Sequence, residues 1–249
     1  MFKAVVVVPT YNEIENIERL LRTVFSLQRQ FHILVVDDNS PDGTASAVEA
    51  NFKTYPEKLF ILKRPKKEGL GSAYITGFKW ALENGYDYIF EMDADFSHNP
   101  NDLVRLFNAC HKEGNDLAIG SRYVKGVNVV NWPMSRVLMS WLASKYVRFV
   151  MGIDIYDTTA GFICYRRSVL EKINLDNIRF VGYAFQIEMK FKAYISKFKI
   201  IEVPVIFTDR TKGESKMSSG IISEAIFGVI AMKFNSVFNR KRFNESSFN

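Results

Sequence analysis

Three polar clusters in the first hundred residues carry the groups that could do chemistry, and each directly follows a short apolar run. PTYNE stands at 9–13, DDNSPDGT at 37–44 and DADFSH at 93–98. Because ligands of open α/β sheets bind beyond the carboxyl ends of the strands, the three clusters are expected to meet at one edge. Carboxylates brought together there repel one another unless a cation or a cationic substrate lies among them. The pattern therefore indicates a site that binds positive charge.

The Asp-x-Asp at 93–95 is the best candidate for a metal-dependent diphosphate site. Carboxylate oxygens favour Mg²⁺ or Mn²⁺, and Mg²⁺ usually takes one or two carboxylates together with the phosphates of a substrate. Taken alone, an Asp-x-Asp is usually a solvated turn. The acidic pair at 37–38 could likewise lead only into a helix cap at Ser40 or Asp42. These motifs point to a function only in combination.

Other motifs with chemical roles are incomplete or missing. Gly69 and Gly71 suggest a dinucleotide fingerprint, but Tyr74 stands where its third glycine belongs. No Walker motif and no G-x-S-x-G elbow occurs. The three histidines lack the spacing of a metal site. The two cysteines, Cys110 and Cys164, have no CxxC partner, so reduced thiols are expected and a structural zinc site is not.

Strand-like runs alternate with amphipathic stretches along the chain, and these elements must position the clusters. In the first half the pattern predicts strands at 4–8, 33–36, 59–62 and 86–92, and helices at 15–27, 42–51, 72–83 and 100–112. In the second half it predicts helices at 131–151, 183–195 and 218–238, and strands at 161–166 and 200–207. Such alternation is typical of an α/β fold with a mostly parallel sheet and helices on both faces. No repeat or linker divides the chain, so one domain is expected.

Two helices of the second half have faces of mixed character. In the helix at 131–151, a polar stripe of Arg136, Ser140, Ser144 and Arg148 lies opposite an apolar side. The helix at 218–238 is strongly apolar, and basic residues follow it at 240–242. Together they are predicted to form a platform lying in the plane of a membrane surface. For the last helix, an ordinary place in the core is the alternative.

Composition and charge limit the class of protein. The 249 residues are 47% hydrophobic and 24% charged, which is typical of a globular domain and excludes collagens, coiled coils and disordered chains. The net charge of +6 lies wholly after residue 178, where 12 basic residues accompany 6 acidic ones. A basic C-terminal third suits an anionic partner. The longest late apolar run, 225–232, is shorter than the ~20 residues of a membrane span, so a cytoplasmic protein is expected.

The motifs become specific through their order. PTYNE, VDDNSPDGT, MDAD and GSRY occur in turn, followed by TAGF at 159–162, FQIEM at 185–189 and GESK at 213–216. Over residues 4–217 this series resembles the inverting GT-A glycosyltransferases of family 2, and within them the dolichol-phosphate (polyprenol-phosphate) mannose synthases. The resemblance implies a GT-A domain at 1–217, with an amphipathic helix and a basic tail at 218–249 in the same unit. It also implies transfer of mannose from GDP-mannose to a polyprenyl phosphate, which gives a β-linked mannosyl phosphate lipid.

The resemblance assigns roles on the donor side. A nucleotide pocket would be lined by Pro9, Tyr11, Glu13, Val36 and Asp38. Asp93 and Ala94 would hold the ribose and the diphosphate, and Asp95 would ligate Mg²⁺ or Mn²⁺ together with Asp93. Ser97 stands where many relatives carry a glutamine near the metal, which makes it the candidate for a further ligand.

The resemblance also assigns the phosphates and the sugar to Arg122, Arg210 and Lys216, and the last two could stabilise the leaving nucleoside diphosphate. Arg136 and Ser140 would meet the phosphate of the lipid. That phosphate is already ionised near neutral pH, so it needs charge neutralisation and in-line placement rather than a strong general base. The candidate catalytic residues are Asp95, Arg122 and Arg136.

Two other functions stay open at this stage. A polyprenyl-phosphate glucosyltransferase, or another family 2 enzyme that uses a UDP-sugar, would carry similar motifs. Relatives dedicated to glucose often add C-terminal membrane spans, which favours mannose here. A non-catalytic subunit that binds a sugar nucleotide would be expected to have lost a metal carboxylate or a phosphate-binding arginine, yet all are present.

The expected partners follow from the same resemblance. A polyprenyl phosphate keeps its chain in a bilayer, so we expect a peripheral position on the cytoplasmic face of a membrane. The contact would be direct or would use a small membrane-protein partner. The basic segment has no RRM, KH or helix-turn-helix signature, so nucleic acid is not expected.

Overall fold

Nine strands form two sheets in the computed structural model, which describes residues 2–209 and 228–236. The strands are β1 (Ala4–Thr10), β2 (His32–Asp37), β3 (Leu59–Lys63), β4 (Tyr88–Glu91), β5 (Leu117–Ser121), β6 (Val129–Val130), β7 (Ile163–Arg166), β8 (Ile200–Pro204) and β9 (Phe207–Thr208). The main sheet has the order β3-β2-β1-β4-β7-β5-β8, and β6 pairs with β9 beside it. In the main sheet only β7 runs antiparallel to its neighbours. The predicted mostly parallel α/β fold is confirmed.

Helices cover both faces of the main sheet. They are α1 (Ile14–Phe25), α2 (Thr44–Ala50), α3 (Leu70–Glu83), α4 (Asp102–His111), α5 (Met134–Met151), α6 (Arg167–Lys172), α7 (Tyr183–Ile195) and α8 (228–236). Successive residues of β1 point to opposite faces, as in any strand. Val5 and Val7 therefore join a core cluster that includes buried residues of α3 and α7. Val6 and Val8 join a second cluster, which includes buried residues of α1 and α4.

The strand order places the polar clusters together. β1 lies between β2 and β4, so β2 and β3 are added on one side of β1 and β4 on the other. Where the strand order reverses in this way, a crevice for ligands opens beyond the carboxyl ends of the strands. The segments that follow β1, β2 and β4 (9–13, 37–44 and 93–98) form what we call the acidic edge.

The second half of the chain departs from the sequence prediction in three places. β5 was not predicted as a strand, and α6 was not predicted as a helix, because both are too short to show a clear period. The predicted strand at 200–207 is divided into β8 and β9. Pro204 ends β8, since proline has no N–H to continue the ladder. The chain then crosses to the small sheet, where Phe207 pairs with Val129.

The faces of α5 are arranged opposite to those of an ordinary surface helix. Its polar stripe faces the protein: Ser144 is buried, and Arg136 and Ser140 are half-buried. Val147 and Met151, near the end of the helix, are buried on the same side, but other apolar residues face outward, and Met134 and Phe149 are 78% and 90% exposed. Leu138, Met139 and Leu142 are also exposed. We call these five residues the apolar face of α5.

The last helix belongs partly to the core. Val229 and Met232 of α8 are buried in the cluster that also contains residues of α5, and Lys233 Nζ donates a hydrogen bond to the Met151 carbonyl (2.9 Å). Ile230 and Phe234 point outward. The remainder of the predicted helix, 218–227 and 237–238, lies outside the described residues, so the boundary at 217 stays a prediction. Within the described ranges, no helix is long and apolar enough to cross a membrane.

Candidate active site

The loops after β1 and β2 are joined by hydrogen bonds between their own side chains. Asp37 Oδ1 accepts from Thr10 Oγ1 (2.8 Å) and from Ser40 Oγ (2.6 Å). Ser40 Oγ in turn accepts from the Asn12 amide (3.0 Å). The Asp37 carboxylate thus binds groups of the protein itself, and it joins the carboxyl ends of β1 and β2. The side chain of its neighbour Asp38 is also buried and has a different partner.

Asp42 links the first turns of two helices. Its Oδ1 accepts from the Thr44 amide (3.0 Å) and hydroxyl (2.6 Å), while Oδ2 accepts from the Ile14 amide at the start of α1 (3.0 Å). Burial alone would raise the pKa of Asp42, but the bonds from Thr44 and Ile14 hold it below its usual value. The predicted cap at Ser40 or Asp42 is wrong, because Gly43 holds the N-cap position of α2 and Asp42 lies one residue before it. The Asp42 side chain instead fixes the loop that carries Tyr11 and Glu13.

Asp38 faces a buried arginine that the sequence analysis did not select. Arg64 Nε lies 2.9 Å from Asp38 Oδ1, and Arg64 Nη1 donates to Ser72 Oγ (3.1 Å). Burial raises the pKa of Asp38, and Arg64 only partly opposes the rise. Arg64 directly follows β3. The strand-end rule that selected the other three clusters would have found it, had it been applied to that strand.

The remaining nucleotide candidates lie along the same edge. Pro9 and Val36 form facing positions in β1 and β2, and Val36 is fully buried. Tyr11 carries the Lys67 ammonium over its ring at 4.5 Å, which brings a positive charge to the edge. Ala94 is buried between the two carboxylates of the Asp-x-Asp. The structure thus brings the predicted donor-side residues together, although their contacts with a nucleotide stay predictions.

Asp93 and Asp95 are held by the turn that follows β4. Asp93 Oδ1 accepts from the buried Tyr74 hydroxyl (3.2 Å), and Asp95 Oδ1 accepts from the Ser97 amide (3.0 Å). Phe96, which lies between Asp95 and Ser97 in the sequence, has a left-handed backbone with φ of 61°, and this is rare for a bulky residue. Arg19 covers the Phe96 ring at 4.5 Å. This packing helps to stabilise the turn against the strain of a positive φ at Phe96.

His98 closes the acidic edge from behind. Its ring is buried and stacks on Phe162, with ring centres 4.9 Å apart. Burial lowers the pKa of His98 to about 4, and the nearby charges of Asp95, Arg122 and Asp157 modify this shift. The imidazole is therefore neutral at physiological pH. The Phe207 ring lies 5.3 Å from the His98 ring and 5.5 Å from the Arg122 guanidinium, so one aromatic residue adjoins both.

Ser97 offers a test of whether a divalent cation fits here. Its hydroxyl is buried and has no hydrogen-bond partner within the part of the chain that the structure describes. A buried orphan oxygen beside Asp95 suits a cation or its bound water. Among residues 2–209 and 228–236, no group of three or more His, Cys, Asp and Glu side chains could hold a metal. Two carboxylates, a hydroxyl and substrate phosphates match the Mg²⁺ coordination expected from the sequence.

Arg122 is fixed by a buried carboxylate that was not predicted. Asp157 accepts from Arg122 Nε (2.7 Å), from Nη2 (2.6 Å) and from the Arg122 amide (2.9 Å). Thr159 Oγ1 accepts a further bond from Nη2 (2.8 Å). Burial alone would raise the pKa of Asp157, but Arg122 holds it below its usual value. The guanidinium is therefore locked in one orientation by a bidentate ion pair.

Arg136 reaches the same place from α5. Its guanidinium lies 4.0 Å from the centre of the Trp132 ring, and that of Arg122 lies 5.5 Å from it. Arg136 Nη1 also pairs with Asp209 (2.9 Å), and both side chains are about a quarter exposed. We call Arg122, Arg136 and Trp132, with Tyr123 and Ser140, the arginine cluster.

Tyr123 and Ser140 complete this cluster. Burial raises the pKa of Tyr123, and Arg122, the Ser140 hydroxyl and Arg136 oppose that rise. The structure therefore gathers the sequence candidates Arg122, Arg136 and Ser140 around one phenol and one indole. Arg210 and Lys216 lie outside the described residues, and their roles stay predictions.

The fold and this site define a nucleotide-sugar transferase, and comparison with known proteins agrees. Residues 5–174 match the family described as Glycosyl transferase family 2, so the chain belongs to glycosyltransferase family 2. It is 45% identical over 96% of its length to polyprenol monophosphomannose synthase of Mycolicibacterium smegmatis, of which the match covers 90%. It is also 45% identical to undecaprenyl-phosphate mannosyltransferase of Micrococcus luteus, with 91% of this chain and 92% of that protein covered. The predicted resemblance to the polyprenol-phosphate mannose synthases is confirmed.

Solved structures support the fold. Glucosyl-3-phosphoglycerate synthase from Mycobacterium tuberculosis, in complex with Mn²⁺, UDP and glucosyl-3-phosphoglycerate, aligns with a TM-score of 0.65. The alignment covers 98% of this chain and 82% of that chain at 16% identity. At this identity the likeness concerns the fold alone.

Proposed function

We propose that this glycosyltransferase moves mannose from GDP-mannose to a polyprenyl phosphate with inversion at the sugar C1. The observation that carries the proposal is the convergence of two arginines on Trp132, with one of them, Arg122, packed over the same Phe207 ring as His98 of the acidic edge. An anion-binding cluster thereby adjoins a carboxylate cluster suited to a metal and a diphosphate. The relatives named as polyprenol and undecaprenyl-phosphate mannosyltransferases indicate which substrates would meet there.

The two arginines differ in how firmly they are held. Arg122 is buried against Asp157, and it cannot move away without leaving the buried Asp157 carboxylate unpaired. The Arg136–Asp209 pair is partly exposed, and exposed pairs are weak enough to exchange partners. An acceptor phosphate would replace Asp209 on Arg136, while Arg122 would orient that phosphate from a fixed position. Two guanidinium groups would thus neutralise the nucleophile and aim it.

The displacement needs no general base. An ionised oxygen of the lipid phosphate attacks C1, and the bond between C1 and the diphosphate oxygen breaks in the same step. The new bond therefore forms on the opposite face of the sugar. Asp93, Asp95 and Ser97 would hold Mg²⁺ or Mn²⁺, which supplies Lewis-acid stabilisation of the leaving diphosphate. Asp38 and Arg64 would recognise the base or ribose of the nucleotide.

Parallel assays of two donors test the proposal. The purified chain is incubated with a polyprenyl phosphate, Mg²⁺ or Mn²⁺, and either GDP-mannose or UDP-glucose. We expect transfer from GDP-mannose only, with a β-linked product by NMR. Transfer from UDP-glucose would instead support the glucosyltransferase alternative. Nucleotide binding without transfer from either donor would support a non-catalytic subunit.

A variant at Asp95 tests the metal assignment. Asp95→Ala is expected to lower turnover by ~100-fold or more and to make GDP binding independent of divalent ions, because it removes a ligand of the metal. Its melting temperature should stay close to that of the wild type, because Asp95 is not a core group. Asp176→Ala, which removes an exposed carboxylate paired with Lys79, is the control and should leave both readouts unchanged. An Asp95→Ala variant with full activity at limiting Mg²⁺ contradicts the assignment.

A pair of arginines on α5 tests the division between donor and acceptor. Arg136→Ala is expected to raise the KM for polyprenyl phosphate by roughly 10–100-fold, since charge-assisted hydrogen bonds contribute about 1.5–3 kcal/mol. The affinity for GDP should change little. Arg136→Lys should restore only part, because lysine cannot form a fork.

Arg148→Ala is the matched control for that experiment. Arg148 lies on the same helix, pairs with Asp154 (2.8 Å) and stacks on Tyr156 (4.0 Å), as Arg136 does with Asp209 and Trp132. Its removal should not change the KM for the lipid. Equal losses of lipid and nucleotide affinity in Arg136→Ala would refute the division.

We further propose that the apolar face of α5 lies against the cytoplasmic face of a membrane, together with Ile230 and Phe234 of α8. The polar side of the same helix carries Arg136 and Ser140, so this orientation would bring the arginine cluster near the headgroups, where the phosphate of a polyprenyl lipid resides. Lys145, whose ammonium lies 3.8 Å from the Trp141 ring, adds a basic group beside this face. Basic groups at a membrane surface are attracted to anionic lipids, which would strengthen the contact.

Liposome sedimentation tests this surface. Leu138→Ser combined with Leu142→Ser is expected to weaken binding to anionic vesicles roughly tenfold or more, because less apolar surface is removed from water. Phe52→Ser changes an exposed aromatic residue next to α2 and serves as the control. If the wild type does not bind protein-free vesicles, the lipid must be delivered through a membrane-protein partner, and the direct contact is refuted.

A further inference from the structure

Lys190 is a fully buried ammonium group that the reaction described above does not use. It lies on α7, and its Nζ donates to the Ala160 carbonyl (2.6 Å), the Gln186 carbonyl (3.2 Å) and Gln186 Oε1 (3.3 Å). Burial lowers the pKa of Lys190 to about 8, while Glu91 and Asp157 oppose the shift. Burying a charge costs free energy that an apolar side chain would not cost. Its retention in the core calls for an explanation.

The partners of Lys190 connect it to both halves of the site. Gln186 Nε2 donates to Glu91, the last residue of β4, and Tyr165 Oη also donates to Glu91 (2.8 Å). Asp93, a candidate metal ligand, lies two residues after Glu91 in the sequence. On its other side, Lys190 holds Ala160, which is part of the segment between α5 and β7. We call residues 156–161 the clamp loop.

The clamp loop holds Arg122 and is itself held from three elements. Asp157 and Thr159, both in this loop, bind the Arg122 guanidinium. At its start, Glu202 of β8 accepts from the amides of Tyr156 (2.7 Å) and Asp157 (2.8 Å).

The middle and the end of the loop are held by other elements. Thr158 Oγ1 donates to Ser144 Oγ of α5 (3.4 Å). At the end of the loop, Lys190 of α7 binds the Ala160 carbonyl, which lies one residue beyond Thr159. Lys190 is thus placed to fix the part of the loop that the bonds to Glu202 and Ser144 do not reach.

We propose that Lys190 is a positioning residue, which holds the clamp loop so that Asp157 and Thr159 aim the Arg122 guanidinium at the acceptor phosphate. This inference rests on the proposed function, in which Arg122 binds that phosphate. A misplacement of Arg122 changes how the acceptor is bound and aligned and leaves the nucleotide pocket, built on β1 and β2, in place. On the other side, Glu91 keeps its bonds from Gln186 and Tyr165 when Lys190 is replaced, so the segment that leads to Asp93 stays held. Lys190 would therefore act on acceptor use and not on donor binding.

The chain provides a matched comparison residue on the same helix. Lys192 is also buried, pairs with Glu188 (3.1 Å) and donates to the Asn177 carbonyl (3.0 Å). These partners lie before and within α7, away from the clamp loop. Replacing either lysine by methionine removes one buried ammonium group from α7, bound to amide oxygens at Lys190 and to a carboxylate and a carbonyl at Lys192. A purely structural role predicts similar effects for both variants.

The experiment compares Lys190→Met, Lys190→Gln and Lys192→Met with the wild type. Three quantities are measured: the melting temperature, the Kd of GDP with Mn²⁺, and kcat and KM for a polyprenyl phosphate. We expect Lys190→Met to raise the acceptor KM, or lower kcat, by ~10-fold or more with the GDP Kd within about twofold, because small misplacements of an aiming group are costly. Lys190→Gln keeps an N–H donor and should lose less. Lys192→Met should change the melting temperature without this split.

Deuterium exchange separates this inference from the proposed function. Exchange of the amides of residues 157–161 is expected to rise in Lys190→Met and not in Lys192→Met, whether or not mannose is transferred. If the wild type transfers no mannose while loop exchange behaves as expected, the proposed function fails and the positioning of the loop stands. Equal effects of Lys190→Met and Lys192→Met on the acceptor KM and on loop exchange would overturn the inference. Failure of both Lys190 variants to fold would overturn it as well.

Discussion

The buried ion pair between Arg122 and Asp157 is the interaction on which the second half of the site depends. Arg122 directly follows β5, while Asp157 lies on the connection between α5 and β7, so the pair joins two segments that are distant in sequence. A charge removed from water must be matched where it lies, and breaking such a pair costs about 3–5 kcal/mol. The geometry of the arginine cluster is therefore fixed by the fold itself. The aromatic rings of Tyr123 and Trp132 then limit where a second cation, Arg136, can lie.

The two sides of the site are built by different means. On the acidic edge, short side chains bond to backbone amides of neighbouring loops, as Ser40 and Asp42 do, so the pocket has its shape before any ligand binds. In the arginine cluster, long side chains are held by carboxylates of unequal exposure. The first arrangement is preorganised, and the second leaves Arg136 in a partly exposed pair with Asp209 that a ligand could replace. Preorganisation of the first kind reduces the ordering cost of binding.

Much of the acidic edge could be predicted from the sequence, because continuous apolar strands and strand-end polar clusters are local signals. The turn after β4 and the polar loop at Asp42 belong to this group, and so does Arg64, which directly follows β3. Asp157 could not be recognised with the same ease, because it follows no predicted strand and acquires its role from Arg122, 35 residues away. The orientation of α5 illustrates a related limit. Periodicity identified its two faces, but it does not state which face meets protein. Five apolar residues of α5 are exposed here, and only Val147 and Met151 follow the usual assignment of apolar residues to the core.

The reversed strand β7 has a consequence for how the chain reaches this structure during synthesis. β5 emerges from the ribosome before β7, yet β7 separates it from β4 in the finished sheet. Residues 4–91 can form a four-stranded parallel sheet on their own pairings, but β5 has no strand partner until residues 163–166 are made and no second one until residues 200–204 follow. During that interval the edge of β4 and the apolar β5 are both open to wrong pairing, the condition under which nascent chains aggregate. The late insertion of one short strand thus makes assembly of the sheet depend on residues 163–204, and a chaperone would have its greatest effect before they are made.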